Sequence, residues 1–361
     1  MSKALLIHYP DKYVEEEAVA LAKAGGYEPA AQLTQRYLDH ARYGMGNGKA
    51  EEAATIVHER EIGTILFDGA LNASQTYNLA KLCKVEVKDR EKLILEIFAK
   101  RATTAEAKLQ VELAELKYEL PRARDKVRKA KSGEQPGFFG LGKYEVDVYV
   151  RMMKKRMVTL KRKVDEVKKR RELLLNHRVR TGHQTVALTG YTGAGKTTLF
   201  NRLTGESKEV NAGVFTTLSP TARGIVVGDR RVLLSDTVGF ISRLPPFLIE
   251  AFKSTLEEVS YASVVLVLVD SSEPIEKMAT SHLSCMRTLS ELEVPEARIL
   301  TVMNKVDLVG EEELDEKLTK AGIKETVQIS ARTGKGLPEL LHLIGERVSQ
   351  NHEEDASVEV A

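Results

Sequence analysis

One octapeptide restricts this chain more than any other feature. Gly190-Tyr-Thr-Gly-Ala-Gly-Lys-Thr197 fits the pattern G-x-x-x-x-G-K-[ST], and it lies between an apolar run, Gln184–Leu188, and an apolar helical stretch, TTLFNRL. The pattern has a physical meaning only in that setting. Glycines at 190, 193 and 195 let a loop wrap a phosphate with its backbone N–H groups turned inward. The helix that follows adds the partial positive charge of its N-terminus. Tyr191, Thr192 and Ala194 complete the cradle, Lys196 neutralises the β- and γ-phosphates, and Thr197, followed by Thr198, offers a hydroxyl to Mg2+. A strand, a phosphate loop and a helix in succession predict an α/β domain with a largely parallel sheet.

Three further segments follow in order. Asp236-Thr237-Val238-Gly239 ends the apolar run VLLSD and fits DxxG, whose carboxylate reaches Mg2+ through water and whose glycine N–H meets the γ-phosphate. Asn304-Lys305-Val306-Asp307 ends ILTVM and fits NKxD. The Asp307 carboxylate would accept from guanine N1–H and the exocyclic amine; adenine offers neither donor, so the wrong base leaves the carboxylate unpaired. Ser330-Ala331-Arg332, after TVQI, fits the loop whose backbone N–H reads the guanine oxygen. Between the first two motifs a threonine must close over the γ-phosphate and Mg2+; VFTTLSPTAR (214–223) supplies Thr217, favoured over Thr216 and Thr221. The predicted fold is a Ras-like P-loop GTPase domain over 181–350. Its catalytic residues are Lys196, Thr217 and Gly239, its ligands are GTP and GDP, and its metal set is Thr197, Thr217 and Asp236. The position after DxxG, where many GTPases carry a water-orienting glutamine, holds Phe240. A phenyl ring cannot orient water, which predicts slow turnover completed by a partner, the alternative being another side chain of this chain.

The first 97 residues alternate strand and helix patterns: strands at 3–8, 30–33, 63–67 and 85–87, helices at 12–24, 49–60 and 73–83. They predict an α/β N-terminal domain over 1–97. Residues 98–180 change character. Thr103 and Glu106 suit a capping box. Leu109, Leu113, Leu116 and Leu120 follow at helical spacing, and Pro121 predicts a bend or an end. A Gly-rich loop, 132–143, precedes a heptad-type seam of Val146, Val150, Met153, Met157, Leu160, Val164 and Val167. Two such helices predict a basic antiparallel hairpin, with a linker at 177–183. The polar, acidic segment 351–361 predicts a tail without structure.

At these residues the chain resembles the HflX GTPases. DTVGFISRLPPFLIEAFKSTLEEV (236–259) resembles their switch II, GYTGAGKTTLFNRLTG their phosphate loop and VFTTLSPTAR their switch I. GNGKAEEAATIV and DREKLILEIFAKRATTAEAKLQVELAELKYELPR resemble their N-terminal region, so the likeness spans about residues 1–350. The plain termini are similar to those of archaeal members. The resemblance implies a cytosolic GTPase that binds the large ribosomal subunit and its rRNA, splits or rescues ribosomes under stress, is stimulated by the ribosome, and has ATP as a secondary substrate. The chain departs from the family at Gly193, where Asn is usual. It departs again in GFFGLGKYEVD, which stands where the family has GPGETQLE, with Leu141 for Pro and Lys143 for Glu.

Charge supports an anionic partner independently. The whole chain carries only +2, but residues 151–171 hold eleven Lys/Arg against Asp165 and Glu166, and 122–131 hold six against Asp125. Such a rod suits phosphate backbones through counterion release and RNA through shape. An anionic membrane is the poorer match, because the seam carries no large aromatic anchors. No apolar run approaches the ~20 residues that span a bilayer, the N-terminus is unlike a signal peptide, and Cys83 and Cys285 have no ligand spacing. These features predict a cytoplasmic protein, and nothing requires more than a monomer. Competing readings are an RNA-binding module switched by nucleotide, and a signalling GTPase with a protein effector. GMGNGK (44–49) lacks the Ser/Thr of a phosphate loop and reads as a loop before a helix.

Overall fold

The computed structural model describes all residues except 133–142, 181–183, 207–213, 216–220, 238, 246, 249–257 and 359–361. They fall into two compact units, Met1–Glu166 and Val167–Ala361.

The first unit is built on four parallel strands, β1 (Ser2–His8), β2 (Tyr27–Thr34), β3 (Thr64–Phe67) and β4 (Glu86–Asp89), in the order β2-β1-β3-β4. Ala4–Ile7 of β1 are fully buried, as expected of a central strand covered on both faces. The helices α1 (Lys12–Ala24), α2 (Asn47–Glu59), α3 (Ala73–Cys83) and α4 (Arg90–Arg101) connect and follow the strands. Asp11 caps α1 by accepting from the N–H of Tyr13 and Val14. Asn72 and Gln75 form a reciprocal capping box on α3. The GMGNGK segment is partly helix, since α2 starts at Asn47. Its Gly44 lies at φ +77°, where a Cβ would meet Leu71 at 2.4 Å.

At the carboxyl ends of β3 and β4 lies a sealed polar knot. Arg90 is buried between Asp68 and Glu17. Asp89, also buried, accepts from Leu71 N–H, Lys92 N–H, the Tyr118 hydroxyl at 2.9 Å and Arg122 at 2.6 Å. Arg122 stacks 3.4 Å from the centre of the Tyr118 ring. The sequence reading places Arg122 on a cationic outer face; the fold commits it to Asp89 instead.

Helix α5 (Ala105–Ser132) corrects one expectation and narrows another. Its cap is Thr104, whose hydroxyl accepts from Ala107 N–H at 3.1 Å, rather than Thr103. Thr103 falls in the turn left by the end of α4 at Ala102. Pro121 sits inside α5 without ending it. The lost hydrogen bond is offset by what surrounds it: Leu120 and Ala123 are buried against Val150 and Met153, and Arg122 is held by Asp89. Helix α6 (Lys143–Arg180) supplies Val150 and Met153, and its Arg156 pairs with Glu112. Residues 120 and 123 thus meet 150 and 153, and 112 meets 156. The connecting loop lies outside the described residues. Leu160 of the heptad seam is fully buried. Helix α6 runs to Arg180, through most of the segment read as a linker, because HRVR contains no Gly or Pro to stop it.

The second unit holds six strands: β5 (Gln184–Gly190), β6 (Thr221–Val227), β7 (Arg230–Asp236), β8 (Val264–Asp270), β9 (Ile299–Asn304) and β10 (Thr326–Gln328). Their order is β10-β9-β8-β5-β7-β6, parallel except for the β6/β7 edge pair. Helices α7 (Lys196–Thr204), α8 (Ile275–Glu291), α9 (Glu311–Ala321) and α10 (Leu337–Val358) alternate with them. The continuous apolar run Val264–Val269 is buried throughout, which marks the sheet centre. The segment from 351, read as a structureless tail, is helical as far as Val358. Its acidic side chains are compatible with helix, and no Gly or Pro interrupts it. Among the described residues no helix is long and apolar enough to cross a membrane.

Candidate nucleotide site

The motif residues converge at the carboxyl ends of β5, β7, β8 and β9, the crevice where open α/β sheets bind ligands. Two of the three loop glycines are required by geometry. Gly190 has φ +139° and backs onto Leu268, where a Cβ would lie 2.4 Å from the carbonyl oxygen. Gly195, at φ +95°, begins α7, and a Cβ there would strike Asn304 at 2.2 Å. Gly193 also has positive φ, +84°, but its Cβ direction is open. That is a conformation Asn tolerates better than most residues, so the departure from the usual Asn keeps the backbone shape.

Lys196 is buried, and its Nζ donates to the carbonyls of Gly190 at 3.0 Å and Tyr191 at 2.8 Å. Burial pushes its pKa down to about 8, against the opposing effect of the neighbouring Asp236. The amine is thus held by neutral carbonyls beside a single carboxylate, an arrangement that an incoming phosphate can improve. Gly239 lies directly over it: a Cβ at 239 would come 2.9 Å from Lys196 Nζ and 3.1 Å from Thr192 Cγ2. Asp236 is fully buried at the end of β7, with Thr197 Oγ1 at 3.4 Å from Oδ2. Thr237 donates to the Leu188 carbonyl at 2.7 Å and so belongs to the frame of the site. A hydroxyl and a carboxylate are hard oxygen donors, the kind Mg2+ takes alongside phosphate oxygens and waters, so this pair fits the ion. Thr217 and Val238 lie outside the described residues.

At the base end, Asn304 is buried and bridges two loops. Its amide donates to the Ala194 carbonyl at 2.7 Å, and its oxygen accepts from Ala331 N–H at 2.9 Å. Lys305 sits at φ +66° and pairs with Asp270. Asp307 is exposed on a short 3-10 turn, and among the described residues no hydrogen bond reaches its carboxylate. Ser330 is buried and its hydroxyl accepts from Thr333 N–H at 3.1 Å, while Arg332 is exposed. The fold therefore brings Gly190–Thr198, Asp236, Thr237, Gly239, Asn304–Asp307 and Ser330–Arg332 to one end of one sheet.

Sequence reasoning overlooked three supports. Asp270 ends the apolar run of β8, which was its signal. Arg202 donates to the Thr333 carbonyl at 3.1 Å, and Gly336, at φ +74°, approaches Gln328 so closely that a Cβ would lie 2.0 Å from its carbonyl oxygen. The pair of glycines in TGKG was the legible sign of that turn. A fourth, the bond from Ser242 N–H to the Tyr191 phenol oxygen at 2.8 Å, left no sequence trace.

Residues 12–99 match the family described as GTP-binding GTPase N-terminal, 101–178 the GTP-binding GTPase middle region, and 185–305 the 50S ribosome-binding GTPase family. The chain is 42% identical to GTPase HflX of Thermococcus kodakarensis over 89% of its own length and 74% of that protein's. It is 46% identical to GTPase HflX of Methanocaldococcus jannaschii (79% and 70% covered) and 37% identical to that of Escherichia coli (96% and 83% covered). Among solved structures, a GTP-binding protein from Sulfolobus solfataricus in complex with GDP is 28% identical. It has a TM-score of 0.51, with 97% of this chain and 99% of that one covered. A complex of SsGBP with GDP, also 28% identical with the same coverage, has a TM-score of 0.56.

Proposed function

The chain belongs to the HflX family of GTPases, and from that premise we propose that it hydrolyses GTP while bound to the large ribosomal subunit, using the cycle to split or rescue ribosomes under stress. The observation that carries the ribosomal half is the surface of α6. From Arg151 to Arg170 its basic side chains are exposed or half-exposed, while Val150, Met153 and Leu160 are buried. Of these bases, Arg156 is paired across to Glu112 and Arg162 to Glu166 along the helix. Together the exposed bases form a cationic stripe that suits an rRNA phosphate backbone.

The chemistry is attack of water in line on the γ-phosphate. Lys196 moves from two carbonyls to the β- and γ-oxygens, and the inward N–H groups of the loop and of Gly239 stabilise the charge that develops. Thr197 and Asp236, with Thr217, would hold Mg2+, which when bound neutralises charge shared between the two phosphates. Asp307 selects guanine, and the Ser330–Arg332 loop, tied to Asn304, presents a backbone N–H to the guanine oxygen. The protein works in the cytoplasm as a monomer. Phe240 supplies no polar group, so basal turnover is slow and the bound ribosome completes the site. ATP is a slower second substrate.

The test is GTP turnover alone, with purified large subunits, and with added salt. Low basal turnover, strong stimulation and a steep loss with salt are the expected result. Fast basal turnover indifferent to ribosomes overturns it and points to a protein effector. Stimulation without subunit separation on a sucrose gradient would leave a nucleotide-switched RNA binder.

A further inference from the structure

Phe240 stands where a side chain would be expected to orient water, yet its ring is only 2% exposed. Its backbone groups are engaged as well. The N–H of Phe240 donates to the Gly190 carbonyl at 3.0 Å, and its carbonyl accepts from Thr192 N–H at 2.9 Å, a one-residue parallel bridge to Tyr191. Two residues further on, the N–H of Ser242 donates to the Tyr191 phenol oxygen at 2.8 Å. The backbone flanking Tyr191 thus grips Phe240, and the Tyr191 side chain grips Ser242.

We propose that Tyr191 is a positioning residue for GTP hydrolysis, acting through Ser242 and Phe240 to hold Gly239 over Lys196. The proposal rests on reading Gly239 as the γ-phosphate contact and Lys196 as the phosphate amine. A peptide N–H that must meet a phosphate oxygen to within a few tenths of an ångström needs its segment fixed on both sides. Upstream, β7 and the Thr237 hydroxyl bond to Leu188 do this. Downstream, the Phe240 bridge and the Tyr191 hydroxyl do it. Position 240 then contributes by its backbone, and its buried ring keeps the segment seated. Tyr191 also has its own carbonyl against Lys196 Nζ at 2.8 Å, so a single loop residue touches both the amine and the segment that covers it.

The experiment uses the full chain with Tyr191→Phe, which removes only the oxygen that Ser242 bonds. Turnover of GTP should fall about three- to tenfold, the worth of one net hydrogen bond expressed in the transition state. Affinity for GDP, which lacks the γ-phosphate, should stay within about twofold, and hydrogen exchange at the Ser242 amide should speed up in the GDP complex. A rate at the wild-type level or above, or a parallel loss of GDP affinity, overturns the proposal. Gly239→Ala separates this from the underlying reading, because a Cβ there meets Lys196. An inactive Gly239→Ala with a fully active Tyr191→Phe defeats the tether alone, whereas an active Gly239→Ala defeats the reading of the site itself.

Discussion

Two largely parallel sheets in this chain place carboxylates at the carboxyl ends of their strands, and they treat them in opposite ways. In the first unit, Asp68 and Asp89 are closed by Arg90 and Arg122, with Glu17 and Tyr118 completing the pairs. In the second, Asp236 sits beside a lysine held by backbone carbonyls, and Asp307 is exposed. Arginine is a fixed fork whose charge cannot be removed, so it suits a permanent closure. A buried Lys196 amine, pushed down to a pKa of about 8 and held by the carbonyls of Gly190 and Tyr191, is poised for a ligand. The same strand-end position thus serves structure in one sheet and chemistry in the other, and the partner supplied by the sequence decides which.

The largest effect expected from this contrast is in the closed end. Arg90→Leu leaves Asp68 and Glu17 buried without their cation and should cost about 3–5 kcal/mol of stability. Denaturant unfolding checks it, with GDP affinity unchanged in the protein that remains folded. A loss under about 1 kcal/mol would mean that the knot is not structural. Next comes the open end. Asp307→Asn should weaken GTP binding by about ten- to a hundredfold, because an amide cannot accept both guanine donors. Titration with xanthosine triphosphate should show the preference reversed; GTP affinity at the wild-type level would remove Asp307 from the base site. The smallest effect is a pH slope. The free Lys196 amine loses its proton as pH rises through about 8, while a phosphate-bound amine keeps it. Binding of GDP should therefore take up a proton and weaken by up to about tenfold per pH unit above that value. Calorimetry in buffers of differing ionisation enthalpy detects the uptake; none between pH 8 and 9 would mean that Lys196 stays charged without ligand.

Much of the fold was legible. The strands of both units and helices α1, α2, α3 and α7 lie within a few residues of their sequence signals, because central strands are unbroken apolar runs and the phosphate loop demands strand, turn and helix in order; α4 was not read from the sequence. The exceptions have local causes. Pro121 signals a bend or an end; α5 continues through it, with Arg122 and Leu120 on either side fastened to distant residues. Thr103 and Glu106 satisfy a capping pattern, yet the turn from α4 makes Thr104 the cap. HRVR and the acidic C-terminal segment look like connectors, although neither contains a residue that stops a helix.

What the sequence determined by itself is which residue types stand at fixed spacing: the loop glycines with Lys196 and Thr197, the carboxylate of Asp236, and Asp307, the proposed guanine reader. What tertiary structure alone decided is which charges are available. Arg122 reads as one more base on a cationic helix until Asp89, from a strand 33 residues earlier, takes it. Tyr191 reads as filler in a phosphate loop until Ser242, 51 residues later, bonds its hydroxyl. Spacing along a chain reports groups that act within one loop or one helical turn. Pairs made across elements leave no local pattern, since any compatible donor at any separation can complete them once the fold brings the two together.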